Sequence, residues 1–110
     1  MKQWDIILYP FSEAGPHPAV VMSADERCAN SSVKNINALI CKSARPAHPT
    51  EKTEVVLDAS DGLDWATVVR CDAMHFLPRV KFGQHLGNVS IQRRRAIARK
   101  LIECFRLREF

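Results

Sequence analysis

No apolar run in this sequence approaches the roughly 20 residues that a bilayer-spanning helix needs, so a helical membrane protein is not expected. The N-terminal Met1-Lys2-Gln3-Trp4-Asp5 leads into a short apolar stretch that Asp5 interrupts, so there is no signal-peptide core and a cytoplasmic location is expected. The four cysteines, Cys28, Cys41, Cys71 and Cys104, form no C-x-x-C pair, and no histidine stands at metal-ligand spacing. We therefore expect buried free thiols, no metal site and no cofactor. Internal repeats and low-complexity tracts are missing too. Aromatic side chains able to stack on unpaired bases are few, with Phe11, Trp65 and Phe76 the candidates.

What is present fits one small folded unit. A chain of 110 residues buries one core but not two, so a single domain over residues 1–110 is expected. Its 46% hydrophobic and 25% charged residues match an ordinary globular domain rather than a disordered chain. The net charge of +4 hides an asymmetry: from Arg70 onward ten Lys or Arg face three Asp or Glu, whereas residues 1–69 carry six against nine. A basic C-terminal end raises the local concentration of a polyanion such as nucleic acid, although from charge alone a solvated helix face is the preferred account.

Strand signals recur at short intervals: Trp4–Tyr9, Ala19–Met22, Ile36–Cys41, Glu54–Leu57 and Ala66–Arg70, with a weaker one at Met74–Leu77. Each is bounded by Pro, Gly, Asn, Asp or Ser, the layout of a small barrel or sandwich. The proline-rich stretch from Pro10 to Pro18 reads as a loop, as does the stretch from Lys42 to Thr53. Ala24–Ala29 reads as one helical turn. A longer helix opens at Ser90 as N-cap and runs to about Leu107. At 3.6 residues per turn its apolar arc is Ile91, Ala98, Leu101, Ile102 and Phe105, and Arg94 inside that arc is expected to lay its stem along the sheet.

Three short patterns then appear in order: His17-Pro18-Ala19-Val20-Val21-Met22-Ser23, Leu39-Ile40-Cys41-Lys42-Ser43 and Val68-Val69-Arg70-Cys71-Asp72. With Gly87-Asn88-Val89-Ser90 heading a terminal helix, the chain resembles the MazF/PemK (Kid) family of toxin ribonucleases over nearly its whole length. The resemblance implies a mainly β fold with α (α+β), a small SH3-like antiparallel β-barrel with a C-terminal helix. It also implies a homodimer, a cognate antitoxin protein as partner, and metal-independent cleavage of single-stranded RNA to a 2′,3′-cyclic phosphate. Two positions depart from the family: His17 stands where Arg usually precedes the proline, and Lys42-Ser43 stands where two hydroxyl residues are usual.

RNA carries its own nucleophile, the 2′-hydroxyl, so an enzyme needs only a proton acceptor, a donor or cation for the phosphoryl oxygens, and an acid for the leaving oxygen. Arg70 suits the phosphate, and Asp72, two residues along a strand, shares its face, either to orient Arg70 or to accept a proton. A strand-end salt bridge accounts for the same pair. Ser43 is a candidate phosphate donor or simply a turn residue. His17, between two prolines, is a candidate acid or base, with His75 and His85 as alternatives. Arg70, Asp72, His17 and Ser43 are thus the candidate catalytic residues, and Lys42, Arg79, Lys81 and Phe11 the candidate RNA-binding residues. The competing reading is a non-cleaving protein on the same fold, either a CcdB-like gyrase poison or a degenerate module that binds nucleic acid or protein.

Overall fold

A computed structural model of the chain describes residues 1–12, 15–45 and 50–107. Six strands, β1 (Asp5–Ser12), β2 (Gly15–Val21), β3 (Asn35–Ser43), β4 (Glu54–Leu57), β5 (Thr67–Pro78) and β6 (His85–Asn88), form one antiparallel sheet in the order β4-β5-β3-β2-β1-β6. The sheet curls into a half-barrel closed by a C-terminal helix, α2 (Ile91–Phe105), and a short helix, α1 (Asp25–Ala29), joins β2 to β3. The expected barrel-and-helix architecture is the one found.

Strand alternation builds the core. Ile6, Val20, Leu39, Cys41, Val69 and Cys71 face inward with Leu57 and Leu63, while Arg70 and Asp72 point out. The inward cysteines are inert: burial pushes the Cys71 thiol up to about 12, and that of Cys41 further still.

Several boundaries differ from the sequence reading. The two strand signals around Arg70 and Phe76 belong to one twelve-residue strand, because a bulge opposite Leu39 and Cys41 absorbs the irregular middle. The Pro10–Pro18 stretch is mostly strand. Its residues Gly15–Pro18 pair with β1 alone, since pairing with β3 starts at Ala19, so the prolines fall where one side of the strand is open. Residues 13–14, in the middle of that stretch, lie outside the described residues. β6 carries no sequence signal: His85-Leu86-Gly87-Asn88 is neither β-branched nor regularly alternating.

α2 is rotated relative to the expected arc. Ile97 is fully buried, with Ala96, Leu101 and Cys104 packed beside it, whereas Ile91 (66% exposed), Ala98, Ile102 and Phe105 face outward. The rotation follows from two arginines anchored to backbone carbonyls. Arg94 Nε donates to Val89 O at 2.7 Å and its guanidinium lies over the Trp4 ring, 5.9 Å from the centroid. Arg93 donates to Val56 O, to Asp61 Oδ2 (3.1 Å) and to Asp58 Oδ2 (3.0 Å).

Ser90 occupies the N-cap position, but its hydroxyl caps nothing. Its own N–H donates to buried Asp61 Oδ1 (2.8 Å) instead. Asp61 sits in a turn of 3-10 helix, Ala59–Asp61, against which the β6 backbone presses so closely that a Cβ on Gly87 would lie 2.1 Å from Asp61 O.

Candidate active site

A cavity of about 770 Å³ opens at the end of the sheet where β3 stops. Ser43 pairs with Thr67 and Lys42 with Val68, which puts Lys42 on the outer face of the sheet beside β5. His17, opposite Tyr9 on β2, supplies another wall, and Arg45, Thr50 and Glu54 complete it. The tertiary structure thus brings together His17, Lys42 and Ser43, separated by some 25 residues of chain.

Arg70 is the cross-strand partner of Glu54, whose carboxylate lines this cavity. It extends over the same face as Asp72, to which it makes two parallel bonds, Nε to Oδ1 at 3.2 Å and Nη2 to Oδ2 at 3.0 Å. Both side chains remain open to solvent, and the guanidinium holds the Asp72 carboxyl below the usual carboxylate range. A carboxylate so stabilised is a poor proton acceptor, which favours an orienting role for Asp72.

Glu54 was not singled out by sequence. It opens an ordinary strand signal, yet it is buried and ionised: the Glu51 N–H (2.9 Å), the Lys42 ammonium (3.1 Å) and the nearby Arg70 charge hold its carboxyl below the usual range, against the opposing effect of burial. The only sequence signal for it was a charged residue in phase with Val56 on the outer face of β4. Glu54 and Asp72 therefore each occupy one cation of the site.

Three expected RNA contacts are not among the residues lining this cavity. Arg79 sits in a 3-10 turn after β5, at the end of the β3–β5 ladder where Asn35 pairs with Pro78. Eight residues of strand, about 26 Å, separate that end from Ser43. Its guanidinium is consumed by four backbone carbonyls, Val33 (2.8 Å), Cys28 (2.8 Å), Arg27 (2.9 Å) and Asn30 (3.0 Å), which ties α1 to the sheet. Lys81 is exposed in the same turn and does not line the cavity. Phe11 packs tilted against Tyr9 at 4.8 Å and edge-on to His75 at 5.5 Å, so its ring, and that of His75, belong to an aromatic cluster. His85 lies 3.5 Å from Asp5 Oδ1 on the edge strand. Residues 46–49 of the expected Lys42–Thr53 loop lie outside the described residues. Among the described residues no three His, Cys, Asp or Glu side chains cluster as metal ligands would.

Sequence comparison with curated proteins returns no match. Solved structures do match. An endoribonuclease from a mycobacterial species, in complex with its cognate antitoxin, superposes with a TM-score of 0.81 over 100% of this chain and 99% of that one, at 20% identity. The Mycobacterium tuberculosis toxin MazF-mt6 gives 0.75 over 94% and 99%, at 19% identity. A MazE-MazF structure from Deinococcus radiodurans gives 0.74 over 98% and 97%, at 21% identity. Identities this low establish a common fold, and the family assignment comes from sequence: the PemK-like, MazF-like toxins of type II toxin-antitoxin systems match residues 2–105. The half-barrel with its terminal helix, the cavity at the end of β3 and this match over nearly the whole chain agree, and the chain belongs to the PemK/MazF-like toxin family.

Proposed function

We propose that this toxin is a metal-independent endoribonuclease that cleaves single-stranded RNA in the cavity at the end of β3. The observation that carries the reading is the exposed Arg70 fork, oriented by Asp72, on the sheet face next to a cavity that holds His17, Lys42 and Ser43. Arg70 and Lys42 neutralise the phosphoryl oxygens, and the Ser43 hydroxyl donates to one of them. His17 is the one imidazole among the described lining residues, and it takes the 2′-hydroxyl proton. The 2′-oxygen forms its bond to phosphorus as the bond to the 5′-oxygen breaks, and the leaving 5′-oxygen takes a proton from water. The products are a 2′,3′-cyclic phosphate and a 5′-hydroxyl.

The site binds phosphate by exchange. Glu54 already pairs with Lys42 and Asp72 with Arg70, so an incoming phosphate replaces a carboxylate rather than meeting a bare cation. The carboxylates of an acidic antitoxin segment suit the same two cations, which makes a cognate antitoxin a competitor of the RNA. A homodimer belongs to this reading as well: Ile102, Phe105 and Leu107 at the end of α2 and Phe76 (60% exposed) on β5 are apolar surface that a second copy would cover.

Incubating the antitoxin-free protein with mixed single-stranded RNA in EDTA tests the activity. The expected outcome is discrete fragments ending in 2′,3′-cyclic phosphate. Intact RNA with a demonstrably folded protein would establish the second reading, a module that binds without cutting. That reading draws on His17 in place of a permanent cation and on the carboxylate partners of Lys42 and Arg70. A CcdB-like mode, acting through α2, predicts toxicity that survives Arg70→Ala.

A further inference from the structure

A second, smaller cavity of about 180 Å³ opens between the segment that enters β5 and the edge strand β6, with Asp64, Trp65, Gln84 and His85 on its walls. We infer that this cavity is a nucleobase subsite, in which Trp65 stacks on one unpaired base beside the phosphate held in the first cavity and Asp64 reads that base's edge. The inference rests on the ribonuclease reading for its substrate, and its test is separable from that reading.

The exposure of Trp65 is imposed by the backbone. Its indole is 50% exposed although Leu63 and Thr67, two residues to either side, are buried. The segment between them is pinned at both ends. Gly62, at a φ of 84°, turns the chain with its N–H on Ala59 O (3.0 Å), and the Leu63 N–H donates to Asp58 O (3.3 Å). Beyond the tryptophan, the Thr67 hydroxyl donates to Trp65 O (3.4 Å), and the Ala44 N–H donates to Ala66 O (3.1 Å). An exposed indole on a main chain pinned at both sides is a stacking platform with little backbone to order when a base arrives.

Continuity and charge point to the same occupant. Ala66 lines the first cavity and Trp65 the second, and adjacent Cα atoms are about 3.8 Å apart, so the two cavities border neighbouring residues of one segment. The first cavity holds the cations Lys42 and Arg45, which suit phosphate. The second holds the Asp64 carboxylate, and its His85 is already turned toward Asp5, so a phosphate is repelled there and an uncharged ring is admitted. A volume well below the roughly 300 Å³ at which drug-sized pockets begin suits a single planar base. The Asp64 carboxylate only accepts hydrogen bonds, so it favours a base with an exocyclic amino group, such as cytosine, over uracil, whose one donor on that edge, N3–H, is flanked by two carbonyl oxygens that the carboxylate repels.

The test uses probes that cannot be cut. Cytidine and uridine 5′-monophosphates, and 2′-O-methyl pentanucleotides that lack a free 2′-hydroxyl, are titrated while the Trp65 indole Nε1–H resonance is followed, assigned through Trp65→Phe. Both probe types should shift that resonance, CMP more than UMP. Trp65→Ala should weaken pentanucleotide binding about 5- to 100-fold at an unchanged melting temperature, with Trp65→Phe retaining most of the affinity. Asp64→Asn should erase the preference for CMP. Pentanucleotide binding that leaves the Trp65 resonance in place, or that is equally tight in Trp65→Ala, overturns the subsite. So does a Trp65 indifferent to every nucleotide yet shielded in a complex with the antitoxin. A protein that binds these probes through Trp65 but leaves natural RNA intact keeps the subsite and refutes the ribonuclease reading.

Discussion

Arg70 and Asp72 face each other as a fork and a carboxylate two residues apart on one strand, joined by bonds of 3.2 and 3.0 Å, and neither is buried. An exposed pair of this kind contributes little to folding, about 1 kcal/mol at most, so its arrangement is available for binding. Arg70→Ala should therefore lower the rate of RNA cleavage by about 10²- to 10³-fold with a stability change within about 1 kcal/mol. Asp72→Asn, which leaves the guanidinium in place but less firmly oriented, should cost less than Arg70→Ala. Gel-based cleavage rates beside thermal melts check both, and an Arg70→Ala protein that cuts at the wild-type rate would remove Arg70 from the site.

Arg79 presents the opposite case. Its four bonds to carbonyls at the end of α1 make it a structural clamp, so Arg79→Ala should destabilise the fold by about 2–4 kcal/mol in urea unfolding. The salt dependence of oligonucleotide binding separates it from Lys42. Lys42→Ala should reduce the slope of log affinity against log salt by about 0.7, and Arg79→Ala, measured where it is folded, should leave the slope unchanged.

Stability should fall on the acid side. The Ser60 hydroxyl and the Arg93 guanidinium pull the Asp58 carboxyl down to about 2, and Glu54 and Asp72 are also held below their ordinary values. For each, the unfolded chain takes up a proton before the folded one does, so the stabilisation is complete above an ordinary carboxyl pKa of about 4 and is lost as pH falls through the lower folded value. Melting temperature should drop most steeply between about pH 4.5 and 2. Asp58→Asn should flatten the lower part of that drop, and an unchanged profile in the variant would show that Asp58 is not part of it.

The rotated face of α2 gives a direct packing test. Ile97→Ala empties a fully buried position and should cost about 2–5 kcal/mol, whereas Ile91→Ala, at an exposed position, should change stability by no more than about 0.5 kcal/mol. Equal effects, read from chemical denaturation, would contradict the observed orientation of the helix.

The helix shows where local pattern reaches its limit. Ile91, Leu101, Ile102 and Phe105 do share an arc, and periodicity alone selects it. The orientation is instead decided by Arg93, whose hydrogen bonds to Val56, Asp58 and Asp61 tie down residues far away in sequence, and by Arg94, which holds Val89 just before the helix. The same reason hid β6, which is a strand because Asp5, Ile6 and Ile7 pair with it rather than because of its own residues.

What the sequence determined by itself was the succession of short strands, the terminal helix and the alternation that puts Arg70 and Asp72 on one face, because these follow from periods of 2 and 3.6 residues that act within a few positions. Tertiary structure decided which charges are available. It gathered His17, Lys42 and Ser43 around one cavity, set Glu54 between Lys42 and Arg70, spent Arg79 on carbonyls and left Trp65 in water. A side chain's partner depends on strand order and register, and those are fixed only when the whole sheet closes around its core.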